Sequence, residues 1–183
     1  LIAEHGASVT HCPASNQKLA SGTARIIDLH AAGVNVALGT DGPASGNDLD
    51  LWLAMRLAGY AQKNTAKDPT VMPALDILRM ATINGARALH ADHLIGSLEV
   101  GKAADIIVLD ADSPSLTPIF DPHVAIVAAA GRGDVMSVIV NGQVVVHEKR
   151  VLTINHAETV QKVHALGGVV MAAVEEVERS RRK

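Results

Sequence analysis

Val34-Asn35-Val36-Ala37-Leu38-Gly39-Thr40-Asp41-Gly42 has the pattern of a buried strand that ends in one carboxylate followed at once by a glycine. In barrels of alternating strands and helices, catalytic groups sit on the loops after the strands, because the strand interiors are filled with packed aliphatic side chains. Asp41 is therefore the first candidate for chemistry, although a lone carboxylate beside Gly42 also reads as a turn former. His11-Cys12-Pro13-Ala14-Ser15-Asn16 forms a second candidate loop at the end of another strand. Two successive parallel strands would set His11 and Asp41 on one rim. Taken alone, His11 reads as an ordinary pocket-wall or hydrogen-bonded histidine, and Ser15 and Asn16 as residues that shape the loop through side-chain to backbone bonds. Ser45 and Asn47 are open between turn chemistry and pocket lining.

The elements that would position these residues follow from the hydrophobic pattern. Ala7 to Cys12, closing on Pro13, suits a buried strand. Thr23 to Ala32 has helical spacing and stops at Gly33, and the strand from Val34 to Gly39 follows directly, which is the βα repeat of a parallel sheet. Asp48 is the expected N-cap of a helix running to about Lys63, and a second helical region is expected from Val71 to Leu89, with Pro73 in its first turn and a break or close contact at Gly85. Beyond His90 the texture changes to short β segments, Ile106 to Leu109, Val135 to Val140 and Gln143 to His147. Asn141-Gly142 between the last two favours positive φ at both positions and predicts a tight type I′ hairpin. After Asn155 the composition is helical, with Val160, Val163, Val170, Val174 and Val177 along one side, the pattern of a surface helix packed on its own protein or, as the sharper alternative, of a partner-binding helix. Gly167-Gly168 is expected to divide it.

Bulk composition excludes several classes. The chain has 183 residues, 48% hydrophobic and 19% charged, as a globular protein does. A formal net charge of -3 gives no electrostatic reason to expect nucleic acid or an anionic membrane as partner. Trp52, Tyr60 and Phe120 are too few for a base-stacking platform. The single cysteine, Cys12, excludes an internal disulfide framework and suits a reducing cytoplasm, and the apolar runs are too short to span a bilayer. Leu1 to Gly6 reads as the end of a helix, which suggests a fragment.

Together, His11 to Asn16, Lys18-Leu19-Ala20-Ser21-Gly22, Gly39-Thr40-Asp41-Gly42, Asn47-Asp48-Leu49-Asp50, Met55-Arg56-Leu57-Ala58 and Ala81 to Leu89 resemble the carboxyl-terminal part of a metal-dependent amidohydrolase. Within that superfamily the chain is most similar to 5-methylthioadenosine and S-adenosylhomocysteine deaminases and their triazine-hydrolase relatives. The resemblance implies an α/β fold: the last two βα units of a (β/α)8 barrel in residues 1–94, part of a small composite β-sandwich in 95–153, and a helical tail in 154–183. It implies that Asp41 is the carboxylate ligand of a single divalent metal, usually zinc, and the group that moves a proton from the attacking water to the departing ammonia. His11 and Asn16 would contribute to the pocket for a small-molecule substrate, an aminopurine nucleoside or similar heterocycle.

The family's other metal ligands, a histidine-x-histidine pair and histidines after the fifth and sixth strands, together with its catalytic glutamate, have no counterpart in this sequence. His90 and His93 read as part of a solvated turn, and His123, His147, His156 and His164 show no ligand spacing. The chain alone is therefore not expected to turn over substrate. The competing reading is a catalytically inactive remnant or interaction module without a metal site. In either case Ile106 to Leu109 and Val135 to Val140 are expected to have unpaired edges, which favours pairing into a homo-oligomer or aggregation. Pro43 and Gly46 stand where close relatives carry alanine and asparagine, a change beside Asp41 that bears on substrate identity.

Overall fold

The structure is a computed structural model and describes residues 1–181. Its fold mixes helices with two separate sheets. Strands β1 (Ser8–His11) and β2 (Asn35–Leu38) pair in parallel, Ser8 opposite Asn35 and His11 opposite Leu38, and helices α1 (Pro13–Lys18) and α2 (Ile26–Ala31) lie in the connection between them. The expected strand, loop, helix, strand order is present, with the strands slightly shorter than their apolar runs.

Side chains alternate across a strand, so the two faces of the β1/β2 pair differ. Val9, Val36 and Leu38 face the helices and join one core with Ile26 of α2, Met55 and Ala58 of α4 (Leu51–Ala66), and Ile77 and Met80 of α5 (Ala74–Met80). Thr10 and Cys12 face the other way. A Cβ built on Gly39 would lie 3.0 Å from the Thr10 methyl and 3.1 Å from the Cys12 sulfur, so the strand end leaves little room for a side chain there. The Gly39 amide donates to the His11 carbonyl at 2.9 Å and continues the ladder beyond the last paired residues.

In a parallel ladder a residue's N–H and C=O point to the same side and alternate along the strand, so the Val36 carbonyl points away from β1. The side chain of Asn84, on α6 (Ile83–Ala88), donates to it at 3.0 Å, and Asn35 Nδ2 donates to the Asn84 carbonyl at 3.0 Å and to Ser8 Oγ at 2.9 Å. Helix α6 thereby supplies, through Asn84, one side-chain hydrogen bond that a further strand would otherwise make.

Two expected helices are corrected. Helix α4 is capped by Asp50 rather than Asp48: Asp50 Oδ1 accepts from the amides of Trp52 at 2.8 Å and Leu53 at 3.2 Å, while Asp48 turns outward to Arg132. The region from Val71 to Leu89 is two helices, α5 and α6, and the break is at Ala81-Thr82 rather than Gly85. Thr82 Oγ1 bonds back to the Leu78 carbonyl at 2.8 Å, a local competitor for the helical ladder, and the Thr82 backbone leaves the helical region. The short helices α1 and α3 (Pro43–Gly46) stand where the sequence suggested loops, each opened by a proline in its first turn.

The second sheet is antiparallel, in the order β3 (Ile106–Leu109), β4 (Val135–Val140), β5 (Gln143–His147) and β6 (Arg150–Val151). The expected strands match these bounds, and the hairpin turn has φ of 49° at Asn141 and 77° at Gly142. Val135–Val140 is central, paired on both sides, which corrects the expectation of an open edge there; β3 pairs only with β4 among the described residues. In the connection from β3 to β4, α7 (Pro122–Val124) runs into a single π turn, Ala125–Ala129, whose Val127 joins the core that holds Met55. Arg56 of α4 donates to the Ala130 carbonyl at 2.8 Å, and Arg132 forms a two-pronged pair with Asp48 at 3.1 and 2.8 Å.

Helix α8 (His156–Arg181) is one continuous helix of 26 residues, undivided by Gly167-Gly168. It buries no residue, so it is not packed on the rest of the described chain, contrary to the first of the two expectations for it.

Candidate active site

Asp41 sits three residues beyond the end of β2, exposed, with a left-handed backbone at φ 59°. Aspartate and asparagine tolerate that region better than most residues, and unusual backbone of this kind gathers at functional loops. Both carboxylate oxygens are held. Ser15 Oγ donates to Oδ2 at 2.7 Å, and the Gly42 amide donates to Oδ1 at 2.7 Å. Thr40 Oγ1 donates to the Asp41 carbonyl at 3.1 Å, and Lys18 Nζ bridges from the α1 end to the Ala44 carbonyl at 3.0 Å. The two strand-end loops are thus tied together through Ser15 and Lys18.

These contacts set the charge of Asp41. The Ser15 hydroxyl first, then the Gly42 amide and the Ser45 hydroxyl, hold its carboxyl below the ordinary value of 3.8, so it is ionised at neutral pH. Burial pushes the neighbouring Cys12 thiol up from 9.0, and the negative charge of Asp41 adds to that shift. Cys12 is consequently a neutral thiol beside the carboxylate. Gly46 closes the turn against Thr40: a Cβ there would lie 2.8 Å from the Thr40 carbonyl oxygen, so this loop path requires glycine.

The other two sequence candidates lie differently. His11 is 4% exposed on the face of β1 shared with Val9, and neither ring nitrogen has a hydrogen-bond partner among the described residues. Burial lowers its pKa from 6.5, which makes it a neutral imidazole. Asn16 is half-buried on α1; its backbone N–H donates to the Cys12 carbonyl at 3.0 Å and its backbone carbonyl accepts from the Ser21 N–H at 2.9 Å. Of the named candidates, Asp41 is joined directly to α1 through Ser15, not through Asn16 or His11. Ser15, 5% exposed, is the residue whose role sequence reasoning understated. The signal was its position in the first turn after Pro13, which aims the hydroxyl across to the neighbouring strand's loop.

As a metal ligand, Asp41 fits in part. Each oxygen accepts one hydrogen bond and keeps further acceptor capacity, and the carboxylate is exposed and ionised, as a ligand must be. Among the described residues no three or more histidine, cysteine, aspartate or glutamate side chains come together to hold an ion. His90 lies in a turn with φ 55°, followed by further turn structure at His93. No helix of the described residues is long and apolar enough to cross a membrane.

Comparison with known proteins matches this arrangement to one family. The amidohydrolase family model covers residues 1–145. A 5-methylthioadenosine/S-adenosylhomocysteine deaminase of Syntrophobacter fumaroxidans is 45% identical over 170 residues, which are 93% of this chain and 39% of that protein. The crystal structure of an adenosine deaminase from Xanthomonas campestris with bound zinc superposes with a TM-score of 0.90 at 39% identity, over 93% of this chain and 39% of that one. An atrazine chlorohydrolase from Arthrobacter aurescens, complexed with zinc, gives a TM-score of 0.82 at 31% identity over 90% and 36% of the two chains. The chain thus spans about two fifths of the length of these relatives. With its family model matched over most of its length, the chain belongs to the amidohydrolase family.

Proposed function

We propose that this chain is the carboxyl-terminal part of an enzyme that hydrolytically deaminates an adenosine-like or other amino-substituted nitrogen heterocycle. In this reading residues 1–94 carry the last two βα units of a (β/α)8 barrel, 95–153 part of a composite β-sandwich, and 154–183 a helical tail. The carrying observation is Asp41: an exposed carboxylate at the end of a parallel strand, held ionised by Ser15 and Gly42, in a chain whose relatives are named as deaminases.

The reaction adds water to the ring carbon that bears the amino group and expels ammonia. Asp41 takes the proton from the attacking water and delivers it to the departing nitrogen, a shuttle that needs an ionised carboxylate with a free lone pair within hydrogen-bond reach. Ser15 and the Gly42 amide fix the carboxylate plane for both transfers. Asn16, on the same turn as Ser15, and His11, deeper on β1, are the proposed substrate contacts of this rim. A divalent metal, zinc in the solved relatives, supplies when bound an activated water at neutral pH. Asp41 would be this chain's one ligand to it; a catalytic zinc site uses three protein ligands, so the rest belong to segments outside these residues. The free Cys12 agrees with a cytoplasmic location.

The test is ammonia release by the zinc-loaded, full-length protein that contains this sequence, offered 5′-methylthioadenosine, S-adenosylhomocysteine, adenosine and an amino-triazine. Release from at least one supports the proposal. Zinc-loaded, folded protein that releases none would favour the inactive-remnant reading instead.

A further inference from the structure

The turn that follows Asp41 depends on contacts from outside it. Helix α3 is a single turn, closed by the N–H groups of Ser45 and Gly46 on the Gly42 carbonyl, both at 3.0 Å, and by the Asn47 N–H on the Pro43 carbonyl at 2.9 Å. Asp41 at φ 59° and Asn47 at φ 62° hold left-handed backbone at its two ends. One helical turn does not sustain itself, because nucleation fixes several residues for each hydrogen bond gained. Its last carbonyls also lack helical partners.

Lys18 meets both needs. It is the last residue of α1, and its Nζ donates to the Ala44 carbonyl at 3.0 Å across a separation of 26 residues. A cation at the carboxyl end of a helix also faces the negative end of its dipole. Ser15, near the start of α1, holds Asp41 Oδ2 at 2.7 Å, while Lys18 at the other end of α1 holds the turn that carries Ser45, a further hydroxyl beside the carboxylate. Helix α1 thus grips the carboxylate directly and, through Lys18, the backbone that leads away from it.

We propose that Lys18 is a positioning residue for the deamination: by clamping the Ala44 carbonyl it keeps the Asp41 turn, and with it the carboxylate, in the orientation that both proton transfers use. The inference rests on the deaminase reading above. Lys18 acts through Asp41 and touches no reacting atom. K18M keeps the length of the side chain and removes the donor, whereas K18R keeps a cation that can reach the same carbonyl.

The test uses the full-length, zinc-loaded protein that contains this sequence, with whichever of the substrates above the wild type deaminates. Rates are divided by bound zinc, which removes losses from unfolded or unloaded protein. K18M is expected to lower kcat per bound zinc by about tenfold, inside the roughly 10²-fold that a misplacement of about 1 Å can cost, with KM changed by less than about twofold. K18R is expected to recover most of that loss. Independently of turnover, hydrogen exchange at the Ser45, Gly46 and Asn47 amides of the zinc-free protein should quicken by about threefold or more in K18M and return toward the wild type in K18R. A kcat per zinc within about twofold of the wild type in K18M, a loss confined to KM or to zinc content, a K18R no better than K18M, or unchanged exchange would overturn the inference. Should K18M fail to fold, K18Q, shorter and still polar, is held to the same criteria. A zinc-loaded wild type that deaminates none of the substrates overturns the deaminase reading and this inference with it; an active wild type with an unaffected K18M overturns the role of Lys18 alone.

Discussion

Asp50 is the cap on which helix α4 begins, and its contribution can be separated into two parts. Its Oδ1 accepts from two helix amides, Trp52 at 2.8 Å and Leu53 at 3.2 Å, while Oδ2 lies 3.6 Å from Arg132 Nε. Asp50→Asn keeps an acceptor of equal capping rank and removes only the charge toward Arg132. Asp50→Ala removes both. Replacing a capping side chain by alanine costs about 0.5–2 kcal/mol. Because Asp50 satisfies two amides from a side chain only 9% exposed, about 1–2 kcal/mol is the expected loss for alanine. In a chain of 183 residues each kcal/mol moves the midpoint by about 2–4 °C, so thermal unfolding by circular dichroism should show Asp50→Ala lowered by about 2–8 °C. Asp50→Asn should stay near the wild type. Equal losses for the two variants would refute the capping account and assign the effect to the charge beside Arg132.

Two further sets of outcomes are expected. Asp41 should titrate below 3.8 by carbon NMR of its carboxyl, and Ser15→Ala should move the midpoint upward; its contribution to stability is present above 3.8 and is lost as the pH falls through the lowered value. An unchanged midpoint in Ser15→Ala would remove Ser15 from the site. His11 is buried and neutral, so the unfolded chain binds its proton more readily: stability is complete above 6.5 and declines as the pH falls from there toward the lowered folded value. Urea unfolding at neutral and mildly acidic pH should show that decline, and His11→Leu should reduce it; an equal pH dependence in the variant would contradict the assignment.

The second sheet and the βα order were legible because their signals are local. Alternating β-branched runs gave β3, β4 and β5, and Asn141-Gly142 carries its own turn geometry. What escaped was decided by small competitions or by distant partners. Asp48 and Asp50 are both good caps two residues apart, and Arg132, far along the chain, draws Asp48 away. The division between α5 and α6 turns on one hydroxyl of Thr82, whereas Gly85, the apparent breaker, sits inside α6. Two adjacent glycines in α8 lower its propensity without imposing a break. Asp41 could be picked from its place after a strand, but the hydrogen bond that orients it crosses from another strand's loop, and no spacing rule reveals a contact between Ser15 and Asp41.

Asp41 is proposed above as the metal-binding and proton-moving carboxylate of a deaminase. Its most direct test is Asp41→Asn in the full-length, zinc-loaded protein, since asparagine keeps the left-handed backbone at φ 59° and nearly the same shape. Zinc per chain and ammonia release are measured on one preparation. Bound zinc is expected to fall and the deamination rate to drop by about 10²–10⁴-fold, in protein that remains folded. Undiminished zinc together with an unchanged rate would contradict that assignment.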